Sequence, residues 1–96
     1  MKIIGRETLH EFKNKHSDSS SQIDSWEAEV GNAEWCSSYD IKRRYASASF
    51  LKDNHVIFNL KGNRYRLLVK VSYKSKIVLV KKIGTHEEYM DWKITK

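Results

Sequence analysis

The run from His55 to Trp92, HVIFNLKGNRYRLLVKVSYKSKIVLVKKIGTHEEYMDW, limits the possible folds more than any other stretch of the chain. Its apolar and polar residues alternate as in paired strands, and Gly62-Asn63 marks a tight turn. Setting Lys61 opposite Arg64 brings Leu60 opposite Tyr65, Phe58 opposite Leu67 and Val56 opposite Val69. Those pairs form one apolar face. The other face pairs Asn59 with Arg66, Ile57 with Leu68 and His55 with Lys70. One face is suited to a core, and the other presents cations to a polyanion.

A chain of 96 residues predicts one domain, 1–96, built as one sheet under one helical layer. No apolar run approaches the roughly 20 residues of a membrane span. The start, MKIIGRETL, lacks the apolar region of a signal peptide, so a cytoplasmic protein without a membrane partner is expected. The single cysteine, Cys36, excludes an internal disulfide and a cysteine-cluster zinc site. Formal charge is +6, unevenly placed. Residues 1–48 carry seven Lys/Arg against eight Asp/Glu, net −1, and residues 49–96 carry eleven against four, net +7. The basic surface belongs to the sheet half.

From the start, Lys2-Ile3-Ile4 reads as a brief strand ended by Gly5. Glu7 to Lys15 reads as a helix with Leu9, Phe12 and His16 on one side. His10 and His16 have no partner at metal-ligand spacing and read as surface or packing histidines. Ser17 to Ser21 is a polar connector. Ile23, Trp26, Val30 and Ala33 then form an apolar stripe on a helix from Ser21 to Glu34, with Trp26 and Trp35 expected against the back of the sheet. Cys36 reads as a small buried residue rather than a nucleophile, because no His or Asn motif accompanies it. Ser37 or Ser38 caps a short helix, Tyr39 to Ala46, with Ile41 and Tyr45 inward and Lys42-Arg43-Arg44 solvated or on an RNA-binding rim. A strand at Ala48 to Leu51 precedes an Asp53-Asn54 turn and the hairpin, and a turn near Lys74-Ser75 leads into the strand Lys76 to Ile83. That strand is apolar on both faces at its centre, as an interior strand should be. The expected fold is α+β: a small antiparallel or mixed sheet, N-terminal helices on one face and a short C-terminal helix.

FNLKGNRYRLLVKV followed by KIVLVKKIGTHEEY resembles the HigB toxins of the RelE/ParE superfamily, as does the earlier WCSSYDIKRRY. GNRYRL and GTHEEY at their mutual spacing are the most specific pieces. The resemblance implies a RelE-like fold and the toxin of a type II toxin–antitoxin system. It further implies an endoribonuclease that cuts mRNA during translation on the ribosome. The implied partner is a helix-turn-helix antitoxin, in a complex that binds operator DNA.

That chemistry needs a group to take the proton of a 2′-hydroxyl, charge to stabilise the phosphorane-like transition state, and help for the departing 5′-oxygen. It needs no metal, and no cofactor is expected. By resemblance, Arg66 is the sheet arginine of the family's Y-R-L motif, and a guanidinium suits a phosphate bidentately. Lys61, Arg64 and Lys70 lie on the same expected face as RNA contacts, with Lys81 and Lys82 competing for a place beside them. Thr85-His86-Glu87-Glu88 fits a capping box. His86 then lies in the first helical turn, where free N–H groups would also attract phosphate. By itself it reads as a solvent-facing histidine on a capped helix; the resemblance implies an acid, a base or a phosphate ligand. Relatives often carry arginine there. Tyr89 matches a tyrosine that relatives use near the scissile site, to stack on a base, position the 2′-hydroxyl or pack the helix. Met90 and Trp92 are expected to dock that helix. Relatives often place an acidic residue where Met90 stands, so that contact is not carried over. Two alternatives remain. One is a non-catalytic toxin of the same fold that binds DNA gyrase, which the His86/Tyr89 terminus and the dense cations count against. The other is a non-catalytic RNA-binding module, which needs exposed stacking aromatics where the register sends Phe58 and Tyr65 to the core.

Overall fold

The computed structural model describes residues 1–92. Its elements run β1 (Lys2–Ile4), α1 (Arg6–Lys15), a 3₁₀ turn (Ser17–Ser19), α2 (Ser20–Asn32) and α3 (Ser38–Arg44). Then come β2 (Ser49–Phe50), a 3₁₀ turn (Lys52–Asn54), β3 (His55–Leu60), β4 (Tyr65–Ser72), β5 (Ile77–Thr85) and α4 (His86–Met90). The five strands form one mixed sheet in the order β1-β5-β4-β3-β2. β1 runs parallel to β5, whereas the other neighbours are antiparallel. The apolar centre of β5 is accounted for, since this strand lies between β1 and β4.

The hairpin register is the one its alternation dictates, from Leu60 opposite Tyr65 to His55 opposite Lys70. Val56, Phe58, Leu67 and Val69 face the helices and are almost wholly buried. Leu9 and Phe12 of α1, Ile23, Trp26 and Val30 of α2, and Ile41 of α3 complete this core. Trp26 meets Phe58 edge-on at 5.5 Å, and Trp35 stacks on Phe58 at 6.3 Å. These aromatics bury large areas, so the back of the sheet is the main source of stability.

The hairpin turn falls where the sequence puts it, and three other local expectations are corrected. The turn is closed by Arg64 N donating to Lys61 O at 3.2 Å, with Gly62-Asn63 as its central pair and Lys61 and Gly62 left-handed at φ 51° and 65°. The Lys61 N–H is taken by the Gln22 side chain of α2, a tertiary contact that favours this turn. The serine connector is structured: Ser19 is fully buried, and its hydroxyl donates to His16 O at 2.6 Å. Cys36 is exposed. α2 ends at Asn32, the chain runs on extended, and alternation there turns Trp35 inward and Cys36 out. Met90 is 68% exposed and does not dock α4.

Candidate functional site

Arg66 lies on the sheet face away from the core, opposite Asn59 on one side and Gly84 on the other. Gly84 is what lets α4 fold down beside it. A Cβ there would sit 3.1 Å from Glu88 Cβ and 3.2 Å from Trp92 Cζ2. α4 starts where the sequence directs it. Thr85 Oγ1 accepts from Glu88 N at 3.2 Å, and Glu88 Oε1 accepts from Thr85 N at 2.8 Å, the reciprocal capping box. The bond from Thr85 N–H holds the Glu88 carboxyl below its usual range.

This junction gathers three of the residues that the sequence singled out. The Arg66 guanidinium lies 4.9 Å over the Tyr89 ring, and the His86 and Tyr89 rings are 6.5 Å apart. Arg66 Nη1 also donates to Asn63 O at 2.6 Å, so the guanidinium is held from two sides. Trp92 meets Tyr89 edge-on at 5.6 Å and receives Lys82 Nζ over its own ring at 5.7 Å. His86 is exposed at the first position of α4. The expected free N–H cradle is largely used up, because His86 N donates to Arg64 O at 2.9 Å and Glu88 N is capped.

The cations divide. A register shift between Leu68 and Val69 sets Lys82 opposite Leu68 and leaves Lys81 without a cross-strand partner. Lys82 therefore takes the place beside Arg66 for which Lys81 competed. Lys70 shares the face, but four residues along β4 at ~3.3 Å each put it about 13 Å from Arg66. Lys61 and Arg64 belong to the hairpin turn. Arg64 Nη1 donates to Asp18 Oδ2 at 2.9 Å, and the buried Tyr65 gives its phenolic proton to Asp18 Oδ1 at 2.6 Å. Tyr65 and then Arg64 hold the Asp18 carboxyl below its usual range, and Asp18 pushes the Tyr65 phenol up. Within the charge run, Arg44 is engaged with Glu29, and Lys42 donates to Ala48 O at 3.0 Å.

From sequence, His16 reads as a surface or packing histidine. Its ring does pack, 4.5 Å from Phe12 and 5.3 Å from Tyr65. It also lines an open depression of about 690 Å³ together with Asn63, Arg64, Tyr65, His86 and Glu87. No sequence signal joins His16 and Asp18 to Arg64 and His86, since tertiary packing alone makes them neighbours. Among the described residues, no three His, Cys, Asp or Glu side chains converge as a metal site would require.

A family model described as the RelE-like toxic component of a toxin–antitoxin system, the HigB toxin, matches residues 19–92. The chain belongs to the HigB toxin family. Its fold agrees with that family: a mixed sheet with N-terminal helices on one face and a short helix closing the chain. As a HigB-family toxin it has an antitoxin for a partner. Arg64, Arg66, His86 and Tyr89 lie within the matched span, whereas His16 and Asp18 precede it. No curated protein matches the toxin over its sequence. Among its described residues, no helix is long and apolar enough to cross a membrane.

Proposed function

We propose that this toxin is an endoribonuclease that cuts mRNA while it is being translated, without a metal. The 2′-oxygen would bond to the adjacent phosphorus as its proton passes to a base. The bond from phosphorus to the 5′-oxygen would break as that oxygen receives a proton. The products are a 2′,3′-cyclic phosphate and a 5′-hydroxyl. His86 is the proton-transfer group in this reading, and Arg66 binds the phosphate as its charge grows. The Tyr89 ring holds the guanidinium in place. Lys82 and Lys61 add attraction for the RNA backbone, as does Lys70 farther along the sheet.

The observation that carries this reading is the convergence of an exposed imidazole, a twice-held guanidinium and a phenol at the β5–α4 junction. A phosphate clamp beside an imidazole that can give or take a proton is what metal-free RNA cleavage requires. The cognate antitoxin is read as a helix-turn-helix protein, and the pair as an operator-binding complex.

The test is purified toxin in a translation reaction, with mRNA ends mapped by primer extension. Discrete cuts within translated codons, retained when EDTA is added and ribosome integrity is controlled, are expected. Intact mRNA together with blocked DNA gyrase would replace this reading with that of a gyrase-binding toxin.

A further inference from the structure

The depression beside His86 has no role in the centre just described. His86 borders both, while Arg66 and Tyr89 do not line the depression. It is therefore the next place a chain passing over the centre would reach. At about 690 Å³ it falls in the range of small-ligand sites and has room for a nucleotide. Its walls mix polar and apolar surface, contributed by the end of α1, the hairpin turn and the first turn of α4.

Arg64 is prepared for an anion there. Asp18 holds one of its N–H groups, and the Arg64 carbonyl is tied to the start of α4 through His86 N. A guanidinium has five N–H donors, so most remain for a phosphate, and its direction is fixed before binding. Asp18 offsets part of the Arg64 charge, while its own carboxylate is also engaged by the Tyr65 phenol and faces the positive charge of Lys61. The Asn63 amide offers a donor and an acceptor, and the Glu87 carboxylate offers acceptors. Such groups read the edges of an unstacked RNA base.

We infer that this depression is a subsite for one ribonucleotide flanking the scissile phosphate. Arg64 takes its phosphate, Asn63 and Glu87 read its base, and Asp18 is a positioning residue for Arg64. The inference rests on the cleavage reading and adds to it a source of base preference. Asn63→Ala keeps the backbone carbonyl that holds Arg66, so it changes the proposed reader without removing that bond.

Wild type, Asn63→Ala, Glu87→Gln and Asp18→Ala are each added to translation reactions carrying a message that contains all sense codons, and cut sites are sequenced. The two reader variants should still cut, with discrimination at one flanking position relaxed roughly 3- to 10-fold, the effect of about one hydrogen bond. Asp18→Ala should raise KM ~10-fold while kcat stays within about 3-fold, the pattern of lost binding rather than lost chemistry. If Asp18→Ala fails to fold by circular dichroism, Arg64→Gln provides the same reading. Unchanged base preference in both reader variants overturns the subsite while leaving the cleavage reading standing. Intact mRNA with wild-type toxin overturns both.

Discussion

Arg66 shows how one side chain can be prepared by its surroundings. The Tyr89 ring lies under its guanidinium and Asn63 O binds one edge, so its direction is fixed in advance, as the proposed phosphate contact requires. Tyr89→Phe keeps the ring and should cleave within a few-fold of wild type. Tyr89→Ala removes the cation–π contact and should cost roughly 10-fold or more in single-turnover rate. Equal losses in the two variants would show that the phenol itself takes part. Cys36 offers the contrary case. It is exposed, with Lys76 Nζ 3.4 Å from its sulfur, yet it lies on the α2–α3 connection rather than at the β5–α4 junction. Cys36→Ser should therefore keep mRNA cleavage within a few-fold, and loss of cleavage in a folded variant would contradict the site described here.

At the scale of elements, α4 is a five-residue helix too short to persist alone, so its cap and its seat on Gly84 decide whether the site exists. Thr85→Ala should lower stability by about 1 kcal/mol. Because His86 and Tyr89 ride on this helix, cleavage should fall about 5-fold or more while the bulk of the fold holds, as thermal melts and rate measurements would show. The β3–β4 hairpin and the capping box are legible from sequence because both depend on near neighbours. The hairpin register follows from alternation across one turn, and the cap from four consecutive residues. The bulge that favours Lys82 over Lys81, the burial of Ser19 and the exposure of Cys36 depend on contacts between distant segments. So does the Asp18–Arg64–Tyr65 cluster, whose members are 46 and 47 residues apart. Alternation and motif spacing carry no record of such contacts. Trp92 packs on Gly84 as expected of a docking residue while Met90, two positions earlier, points to solvent.

For the whole molecule, the helical layer and the sheet are joined by one apolar core and by Asp18, which binds Arg64 and Tyr65. Trp26→Ala should cost ~3–5 kcal/mol, a large share of the roughly 5–15 kcal/mol that holds such a domain together. Denaturant titration measures it. Asp18, Glu29 and Glu88 all have carboxyls held below their usual range, by Tyr65 and Arg64, by Tyr45 and Arg44, and by Thr85 respectively. A depressed carboxyl contributes stability that is present above its unfolded value and is lost as pH falls through its folded value. Stability should hold above the ordinary carboxylate values of 3.8 and 4.5 and decline below them, and Glu88→Gln should make that decline shallower. A melting temperature that rises on acidification through that window would contradict these ion and hydrogen-bond pairs.

We propose that His86 moves a proton in RNA cleavage at a centre clamped by Arg66. Single-turnover cleavage of ribosome-bound mRNA, followed against pH for wild type and His86→Gln, tests it most directly. The substitution roughly keeps size and hydrogen bonding but removes proton transfer near neutral pH. The variant should cleave roughly 10²–10⁴-fold more slowly, lose one limb of the wild-type pH profile and still bind ribosome and antitoxin. Cleavage at near wild-type rate with the same pH profile would contradict the claim and pass proton transfer to another group.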